Sequence, residues 1–439
     1  MNDIIQPISC GEDGMNYQDT KQNNSLSIAH FSWEYPPILW GGLGTFATEL
    51  TLKQKTHGHN ISVFSVNNDA NSLQSKENWN GITVYRPKIM DIKKTLSLCV
   101  NNDLHSWGDN FSFFSHVFGY NMMAAQHLAA CNNGNTKNNY DIIDAHDWLG
   151  ILGGIIVKQS MDLPLIFHVH STEHGRSLGG GSPTIRNIER QGAEAADGII
   201  TVSHAMKEEL TQLGFPKEKI HVCWNGIDPH KYDPNKVSSV QKEQLRAKYG
   251  IKADEIFLFF IGRLVDVKGV KQLLQAMPTV LQSYPQIKLV ILGVGGLADS
   301  IRNLIKELHL EKKVILRTEF VPEDERILHY AAADLVVLPS LYEPFGIVCT
   351  EAMSMAKPVV VGARDVNGMR EQVVSSGAQQ CGIHINPNDP ADIAWGIQQL
   401  MEKQDQWKQI GENGRKRVFD LFTWDIIAKK TVEIYRKIL

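Results

Sequence analysis

Residues 256–292 read IFLFFIGRLVDVKGVKQLLQAMPTVLQSYPQIKLVIL, and this stretch decides the fold class. An apolar run at 256–261 leads through a glycine-containing loop into a helical pattern at 269–282, which is followed by a second apolar run at 289–292. Short apolar runs are typical of strands buried on both faces, and a helix between two of them predicts parallel pairing. The stretch therefore predicts one β-α-β unit of an α/β protein.

The same alternation of strand and helix extends in both directions from this unit. Downstream, it predicts helices at 297–308 and 324–332 and strands at 314–316 and 335–338. Upstream, it predicts helices at 45–52, 149–159 and 188–196 and strands at 26–31, 61–66, 142–144, 165–169 and 198–202. The doubled pattern predicts two Rossmann-like, doubly wound domains that face each other across a cleft.

The length of 439 residues also favours two domains of about 200 residues each. A polar stretch at 233–254 is the predicted linker between a first domain at 26–232 and a second at 255–423. Residues 1–25 are predicted to form a flexible polar tail. Residues 424–439 form a separate amphipathic helix in this prediction.

Composition excludes several classes of function. The net charge of -4 is spread over both halves without a basic run, which argues against nucleic-acid binding. The six cysteines show no C-x-x-C pair or zinc spacing, and we interpret them as free thiols in a reducing compartment. No apolar run is long enough to cross a bilayer, and the N-terminus lacks an apolar signal core, so we expect a cytoplasmic protein.

Three motifs follow predicted strands, at the edge where such sheets bind ligands. The first, GGLG at 41–44, opens a helix whose free N–H groups suit phosphate or sugar oxygens, although a tight turn without a ligand explains it equally well. In the second, Arg263 and Lys268 follow a strand and suit a departing diphosphate, although two solvated surface cations remain an alternative.

The third motif, EPFGIVCTE at 343–351, is the most specific. It places two carboxylates eight positions apart around Gly346, which opens a helix. We expect Glu343 and Glu351 to lie near one ligand, with Glu351 on the first turns of the helix and within reach of ribose hydroxyls.

Together these motifs resemble the retaining GT-B glycosyltransferases of the glycogen/starch synthase-like group, and most closely its shorter, archaeal-type members. The resemblance covers essentially everything from residue 26 to the C-terminus. It is carried by WEYPP at 33–37, GGL at 41–43, HDW at 146–148, HSTE at 170–173, NGID at 225–228, GR at 262–263 with Lys268, and the 343–351 string. It implies transfer from an ADP- or UDP-sugar with retention, without a metal or other cofactor at the site.

The resemblance also implies a role for each matching residue. Arg263 and Lys268 match the diphosphate-binding pair, Glu351 the carboxylate on the donor ribose, Glu343 the one beside the transferred sugar, and His170 the histidine at the reacting centre. The predicted catalytic residues are therefore His170, Arg263, Lys268 and Glu343. The predicted donor-binding residues are Gly42, Gly44, Arg263, Lys268, Phe345, Gly346, Ile347, Glu351, Gly368 and Met369. The C-terminal segment resembles the family's last helix, which crosses back onto the first domain.

Two positions depart from the family's pattern. Leu39 stands where bacterial and plant synthases have a lysine, which leaves the donor base open between ADP and UDP. Asn367 stands where the first of two glycines is usual in a loop whose amides face the diphosphate.

The sequence also leaves the identity of the acceptor open. We expect an α-1,4-glucan, which makes the chain a glycogen synthase; the alternatives are a small sugar or sugar phosphate as acceptor, or a catalytically silent carbohydrate-binding protein. The intact Arg263, Lys268, Glu343 and Glu351 argue against a silent protein. An aromatic and histidine-rich segment at 105–118 suits sugar stacking, although core packing explains it as well.

Overall fold

The computed structural model describes residues 25–67, 72–131 and 140–439. The tail predicted at 1–25 therefore lies outside the described residues except for its last position. The described chain forms one largely parallel and one fully parallel sheet, each covered by helices on both faces, as the alternating sequence pattern predicts. No helix of the described ranges is long and apolar enough to span a membrane.

The first sheet has eight strands in the order β3-β4-β2-β1-β5-β6-β7-β8. Its strands are β1 Ser27–Phe31, β2 Asn60–Phe64, β3 Lys76–Trp79, β4 Ile82–Tyr85, β5 Ile142–His146, β6 Leu165–Val169, β7 Gly198–Thr201 and β8 Ile220–Val222. All pairings are parallel except that of β3 with β4, an edge hairpin that the sequence pattern did not predict.

The second sheet has six parallel strands in the order β11-β10-β9-β12-β13-β14. Its strands are β9 Ile256–Ile261, β10 Ile287–Leu292, β11 Val314–Arg317, β12 Leu335–Leu338, β13 Val359–Gly362 and β14 Gly382–Ile385. Residues 256–292 contribute its centre, because β9 pairs with both β10 and β12.

Helices connect the strands on both faces of each sheet. In the first half they are α1 Gly42–Thr56, α2 Lys93–Leu96, α3 Asn102–His105, α4 Phe111–Cys131, α5 Asp147–Met161, α6 Glu173–Arg176, α7 Pro183–Ala195 and α8 His204–Gln212. In the second half they are α9 Ser239–Lys248, α10 Val270–Ser283, α11 Ala298–Glu307, α12 Glu323–Ala332, α13 Ile347–Ser354, α14 Met369–Gln372, α15 Pro390–Met401, α16 Trp407–Leu421 and α17 Trp424–Ile438.

The polar stretch predicted as a linker contains more structure than its composition indicates. It holds α9, which begins with a capping box between Ser238 and Gln241. Leu245 of this helix and the following Ile251 are buried in the core of the second sheet. A few well-spaced apolar residues are enough to dock a short helix, which polar composition alone does not reveal. The assignment of residues 233–254 as a linker stays a prediction.

The chain passes between the two sheets twice, and the two crossings lie side by side. Ile227 pairs with Thr423, and the amide of Ile227 donates to the carbonyl of Phe422 over 2.7 Å. The last helix, α17, then packs against α1, with Trp424 and Ile427 buried in the core of the first sheet. Any motion of one domain against the other therefore acts on this paired segment.

Candidate active site

The carboxyl ends of the two sheets bring the predicted glycine loop at 41–44 and the glutamate motif at 343–351 together. Helix α1 begins at Gly42, three residues earlier than predicted. A Cβ atom on Gly42 would lie 3.7 Å from Cδ1 of Ile347, the first residue of α13. The N-terminus of a helix from each domain therefore meets at one place, which gives two sets of free N–H groups for an anionic ligand.

The glycine loop is held by Glu34, which our predicted site does not contain. Its Oε2 accepts hydrogen bonds from the amides of Trp40 and Gly41, over 2.8 and 2.9 Å. A Cβ on Gly44 would lie 2.8 Å from the same oxygen and 2.6 Å from Leu39. Gly44 is thus required so that the carboxylate can reach the loop, a packing need that only the folded structure displays.

Lys268 and Glu343 form an ion pair between the loop after β9 and the loop after β12. The Lys268 ammonium donates to Oε2 of Glu343, and the Ser340 hydroxyl donates to the same oxygen over 3.2 Å. Both ionic side chains are mostly buried, at 16% and 11% exposure. Arg263 is exposed and forms no ion pair within the described residues, so its guanidinium is available to a ligand.

The loop after β13 approaches the glutamate motif so closely that position 368 has no room for a side chain. Glu343 pairs with Asn367, and the amide of Gly368 donates to the Glu343 carbonyl over 2.7 Å. A Cβ on Gly368 would lie 2.3 Å from the Pro344 carbonyl. Asn367 fills the family's glycine position without a positive φ, and its side-chain amide donates to the Ser340 carbonyl over 2.8 Å. The departure from the family's pattern is therefore accommodated.

Gly346 has a φ of 98°, a conformation that favours glycine, and it caps the start of α13. A Cβ there would lie 2.6 Å from Met369 and 3.2 Å from Glu343. Phe345 is buried next to it in the core of the second sheet. The predicted donor residues of this segment thus surround one helix N-terminus.

Glu351 is buried, and its carboxylate already has hydrogen-bond partners within the protein. Its two oxygens accept hydrogen bonds from the hydroxyls of Tyr232, over 2.8 Å, and Tyr330, over 2.7 Å. Arg326 approaches the carboxylate at 4.0 Å. Burial raises the pKa of Glu351, against the opposing effect of Arg326. Its predicted ribose contact stays a prediction, and the two tyrosines are partners that the sequence did not reveal.

His170, at the end of β6, belongs to a buried cluster of four histidines and one aspartate. The sheet register places His30 of β1 beside Asp144 of β5, and His146 of β5 beside His168 of β6. His170 is half-buried; its amide donates to Asp147 over 2.7 Å, and its ring lies 4.5 Å from Phe46. Burial lowers the pKa values of His30 and His170, and that of His146 to about 3.

The same cluster contains the described residues best able to hold a metal. The groups His146, His168, His170 and His30, Asp144, His146 each bring their ligand atoms within 4.8 Å of one another. However, nitrogen atoms of His30 and His146 lie 3.2 Å apart, and those of His146 and His170 lie 3.1 Å apart. These atoms are already paired at hydrogen-bond distance, so we interpret the cluster as a hydrogen-bonded array.

Tyr342, the residue before Glu343, inserts into the first domain. Its hydroxyl accepts from the amide of Thr172 over 3.3 Å and donates to Oε2 of Glu209 over 3.2 Å. Its ring lies so close to Gly175 that a Cβ there would be 2.1 Å away. This contact joins the loop that carries His170 to the loop that carries Glu343, and it closes one side of the cleft.

A cavity of about 490 Å³ opens on the first domain beside the glycine loop. Aromatic and apolar side chains surround one carboxylate there, and among the described residues no lysine or arginine lines it: Trp33, Pro37, Ile38, Leu39, Trp40, Val66, Asn67, Ile89, Asp91 and His116. Trp40 is 66% exposed, and its ring centre lies 6.4 Å from that of Trp33. Such a surface suits the apolar faces of a neutral sugar.

The aromatic segment at 105–118 divides between the two roles left open by the sequence. Phe111 and Phe114 are buried in the core of the first sheet. Phe113 is 43% exposed and packs edge-on against Trp33, and His116 lines the cavity. Different faces of α4 therefore serve the core and the cavity.

Two family models match the chain, one on each domain. The model described as Glycosyltransferase Family 4 matches residues 40–231, and the model described as Glycosyl transferases group 1 matches residues 241–417.

Relatives match over nearly the full length. An uncharacterised glycosyltransferase of Methanocaldococcus jannaschii is 33% identical over 94% of this chain and 98% of its own. A glycogen synthase of Mycobacterium tuberculosis is 27% identical over 93% and 94%. An alpha-maltose-1-phosphate synthase of Mycolicibacterium smegmatis is 27% identical over 94% and 100%.

Solved structures share the fold at lower identity. A sucrose-phosphate synthase from Thermosynechococcus elongatus superposes with a TM-score of 0.72 at 22% identity, covering 94% of this chain and 98% of its own. The catalytic domain of starch synthase IV from Arabidopsis thaliana, bound to ADP and acarbose, superposes with a TM-score of 0.72 at 16% identity, covering 94% and 99%.

Proposed function

The chain belongs to the GT-B glycosyltransferases of the glycogen and starch synthase-like group, and on this premise we propose that it transfers glucose from ADP- or UDP-glucose to an α-1,4-glucan with retention. The chain is a nucleotide-sugar glycosyltransferase. Membership of the family does not specify its substrates, since similar proteins are named for glycogen, maltose 1-phosphate and sucrose phosphate synthesis. The proposal therefore concerns the donor sugar, the acceptor and the stereochemistry.

The donor diphosphate is proposed to lie between the two helix N-termini. Arg263 and Lys268 approach it from the second domain, while Gly42 leaves room on the first. As the bond to the sugar breaks, negative charge grows on the leaving phosphate, where preorganised cations and N–H groups stabilise it most. Lys268 is already oriented by Glu343 and needs little rearrangement at that moment.

Transfer with retention is proposed to occur by attack on the face that the leaving group departs from. The departing phosphate oxygen takes the proton of the acceptor hydroxyl, so the protein supplies orientation and electrostatics rather than a nucleophile. Glu343 and His170 position the sugar. The contact of Tyr342 with Thr172 and Glu209 holds the cleft closed and limits the access of water.

The observation that carries the choice of acceptor is the aromatic cavity on the first domain. A phosphorylated acceptor needs a cation there, and none of the described lysines or arginines lines the cavity. Arg176 of α6, six residues after His170, is not available for such a role, because it donates to Ser171 and pairs with Glu173 and Glu189. A neutral chain of glucose units fits the exposed Trp40 better than a sugar phosphate does.

A panel of donors and acceptors tests the proposal. ADP-, UDP- and GDP-glucose would each be combined with glucose, glucose 1-phosphate, glucose 6-phosphate and maltooligosaccharides of rising length, and the products separated by chromatography. We expect activity to rise with maltooligosaccharide length and then level off, under whichever donor is accepted. If a sugar phosphate is the best acceptor and glucans are inert, the glucan proposal fails and the small-acceptor alternative replaces it.

A matched pair of tryptophan variants locates the acceptor site. Trp40→Ala should raise the KM for a maltooligosaccharide by about tenfold, since one lost stacking contact is worth up to about 1.5 kcal/mol. Trp395→Ala is the control, because Trp395 is 46% exposed on α15 of the second domain. Equal effects of the two variants, or none from Trp40→Ala, would place the acceptor elsewhere.

A further inference from the structure

The histidine cluster beneath the site is a continuous chain of hydrogen bonds from the last helix to His170. Nε2 of His30 lies 2.8 Å from Oε1 of Gln54, and Nδ1 of His30 lies 3.2 Å from Nε2 of His146. Nδ1 of His146 lies 3.1 Å from Nε2 of His170. At the other end, the Gln54 amide nitrogen lies 3.4 Å from the hydroxyl of Tyr435, which contacts Asp144. Every member except His170 is fully buried.

The direction of every hydrogen bond in this chain is set at its buried end. An ionised Asp144 can only accept, so the single hydroxyl proton of Tyr435 is donated to it. The hydroxyl oxygen of Tyr435 must then accept from the amide nitrogen of Gln54. This orientation points the Gln54 oxygen, an acceptor, at Nε2 of His30.

The ionised state of Asp144 is supported by its surroundings. Burial alone would raise its pKa, but the imidazoles of His146 and His168 and the hydrogen bond from His168 outweigh burial and hold the pKa below the usual range. Burial in turn raises the pKa of the Tyr435 hydroxyl well above its usual value, so Tyr435 keeps its proton.

The directions of the remaining hydrogen bonds can be assigned in turn, because each neutral imidazole has one N–H donor and one acceptor nitrogen. His30 donates through Nε2 to Gln54, so its Nδ1 accepts from Nε2 of His146. The Nδ1 of His146 then accepts from Nε2 of His170. His170 is left with a proton on Nε2 and a bare Nδ1, which has no hydrogen-bond partner among the described residues.

We propose that this buried chain fixes His170 as the Nε2–H tautomer, so that its bare Nδ1 accepts a hydrogen bond from a hydroxyl of the transferred sugar. The second half of this statement rests on the proposed function, whereas the tautomer is a property of the protein alone. Gln54, His30, His146 and Tyr435 are positioning residues in this scheme, and the C-terminal helix takes part in the site through Tyr435.

Tyr435→Phe is the sharpest test, because it removes one buried oxygen and keeps the ring. Without the hydroxyl, the amide nitrogen of Gln54 loses its acceptor, and the amide can turn its N–H₂ toward His30. That reversal would pass along the chain and move the His170 proton to Nδ1. Tyr120→Phe is the matched control, since Tyr120 is also fully buried in the first domain and donates to the Phe64 carbonyl over 2.8 Å.

Two-bond ¹⁵N–¹H correlation spectra of protein labelled at histidine report the tautomer directly and need no substrate. The signals of His170 are those that disappear in His170→Gln. We expect Nε2–H in the wild type and in Tyr120→Phe, and a shift of population to Nδ1–H in Tyr435→Phe. Gln54→Met removes the same orienting amide and should act likewise. A wild-type His170 protonated on Nδ1, or a tautomer unchanged in both chain variants, overturns the proposal.

Two further readouts distinguish this hydrogen-bonded chain from a metal site and from a merely structural role of Tyr435. Spectra recorded with and without a chelator should coincide, whereas a His170 signal that changes on chelation points to a metal site and overturns the proposal. Under the donor found by the panel, Tyr435→Phe should lower kcat by up to about tenfold, the effect of one hydrogen bond, with little change in the donor KM. Failure of the proposed function would leave the tautomer result intact, so the two failures are distinguishable.

Discussion

The burial of Glu209, which Tyr342 contacts, makes the free energy of unfolding depend on pH in an unusual direction. Glu209 lies on α8 with 5% exposure and accepts hydrogen bonds from the hydroxyls of Thr172 and Tyr342. Burial raises its pKa from 4.5 to about 7, against the opposing effect of these two hydrogen bonds. Within the described part of the chain, no lysine or arginine is among the groups that shift this pKa. Ionising Glu209 therefore works against the closed, folded state.

The sign and size of the effect follow from proton linkage. Below pH 4.5, Glu209 is protonated in both the folded and the unfolded chain and contributes no pH dependence. Between pH 4.5 and 7 the unfolded chain releases this proton while the folded chain retains it, so the free energy of unfolding falls as pH rises. Above pH 7 the loss is complete. A pKa rise from 4.5 to about 7 corresponds to about 3 kcal/mol.

Glu209→Gln removes the titration and keeps a side chain of similar shape. Its single oxygen can accept one of the two hydrogen bonds, while its NH₂ group faces the other hydroxyl as a donor. The free energy of unfolding would be measured in urea at about pH 5 and about pH 8. From the lower to the higher pH, the variant should lose about 2–3 kcal/mol less of this free energy than the wild type does. Glu208→Gln is the control, because Glu208 is the neighbouring carboxylate, is mostly exposed and pairs with Arg370. If the Glu209→Gln and wild-type stabilities run parallel with pH, Glu209 does not carry the proton and the reasoning is wrong.

Three further predictions address the site itself. Lys268→Met should lower kcat by about 100- to 1,000-fold in the folded variant, and it should also lower the melting temperature because Glu343 loses its partner; near-normal turnover of a folded variant would remove Lys268 from the site. Glu343→Gln should slow transfer in steady-state kinetics, while Glu351→Gln should weaken nucleotide binding in calorimetry; the opposite pattern would exchange their roles. Gly44→Ala should lower the free energy of unfolding by about 1–3 kcal/mol in denaturant titrations, because its Cβ has no space, whereas Gly42→Ala should be neutral. Equal stability of the two glycine variants would contradict the close packing of the loop.

Much of the architecture was predictable because parallel strands buried on both faces leave a local signal. The apolar runs at 256–261 and 165–169 are strands with the predicted bounds. Helix starts were predicted less accurately. Helix α1 begins at Gly42 instead of residue 45, and the prediction missed this start because the first turn is rich in glycine and lacks the apolar spacing that marks a helix. The hairpin of β3 and β4 has only four residues in each strand, too few for a clear alternation, and was missed.

The sequence also predicted which motifs meet, because each follows a strand and the carboxyl ends of parallel strands share one edge. It could not show what holds them. The carboxylate of Glu34 belongs to the WEYPP motif, but nothing in that motif shows that it turns back onto the glycine loop. The two tyrosines on Glu351 come from distant positions without a motif of their own. Such partners become neighbours only when helices and strands pack.

The sequence by itself determined the fold class, because strand periodicity and glycine turns are local patterns, and its motifs determined the family through their resemblance to known members. The site residues that this resemblance implies stay predictions. Only the tertiary structure decided that Tyr342 closes the cleft against Glu209, that Arg176 is already paired, and that Tyr435 is linked to His170. The contacts of Tyr342 and Tyr435 join residues far apart in the chain. Hydrogen-bond direction, burial and charge pairing depend on distances of a few ångströms, and the chain order alone does not contain them.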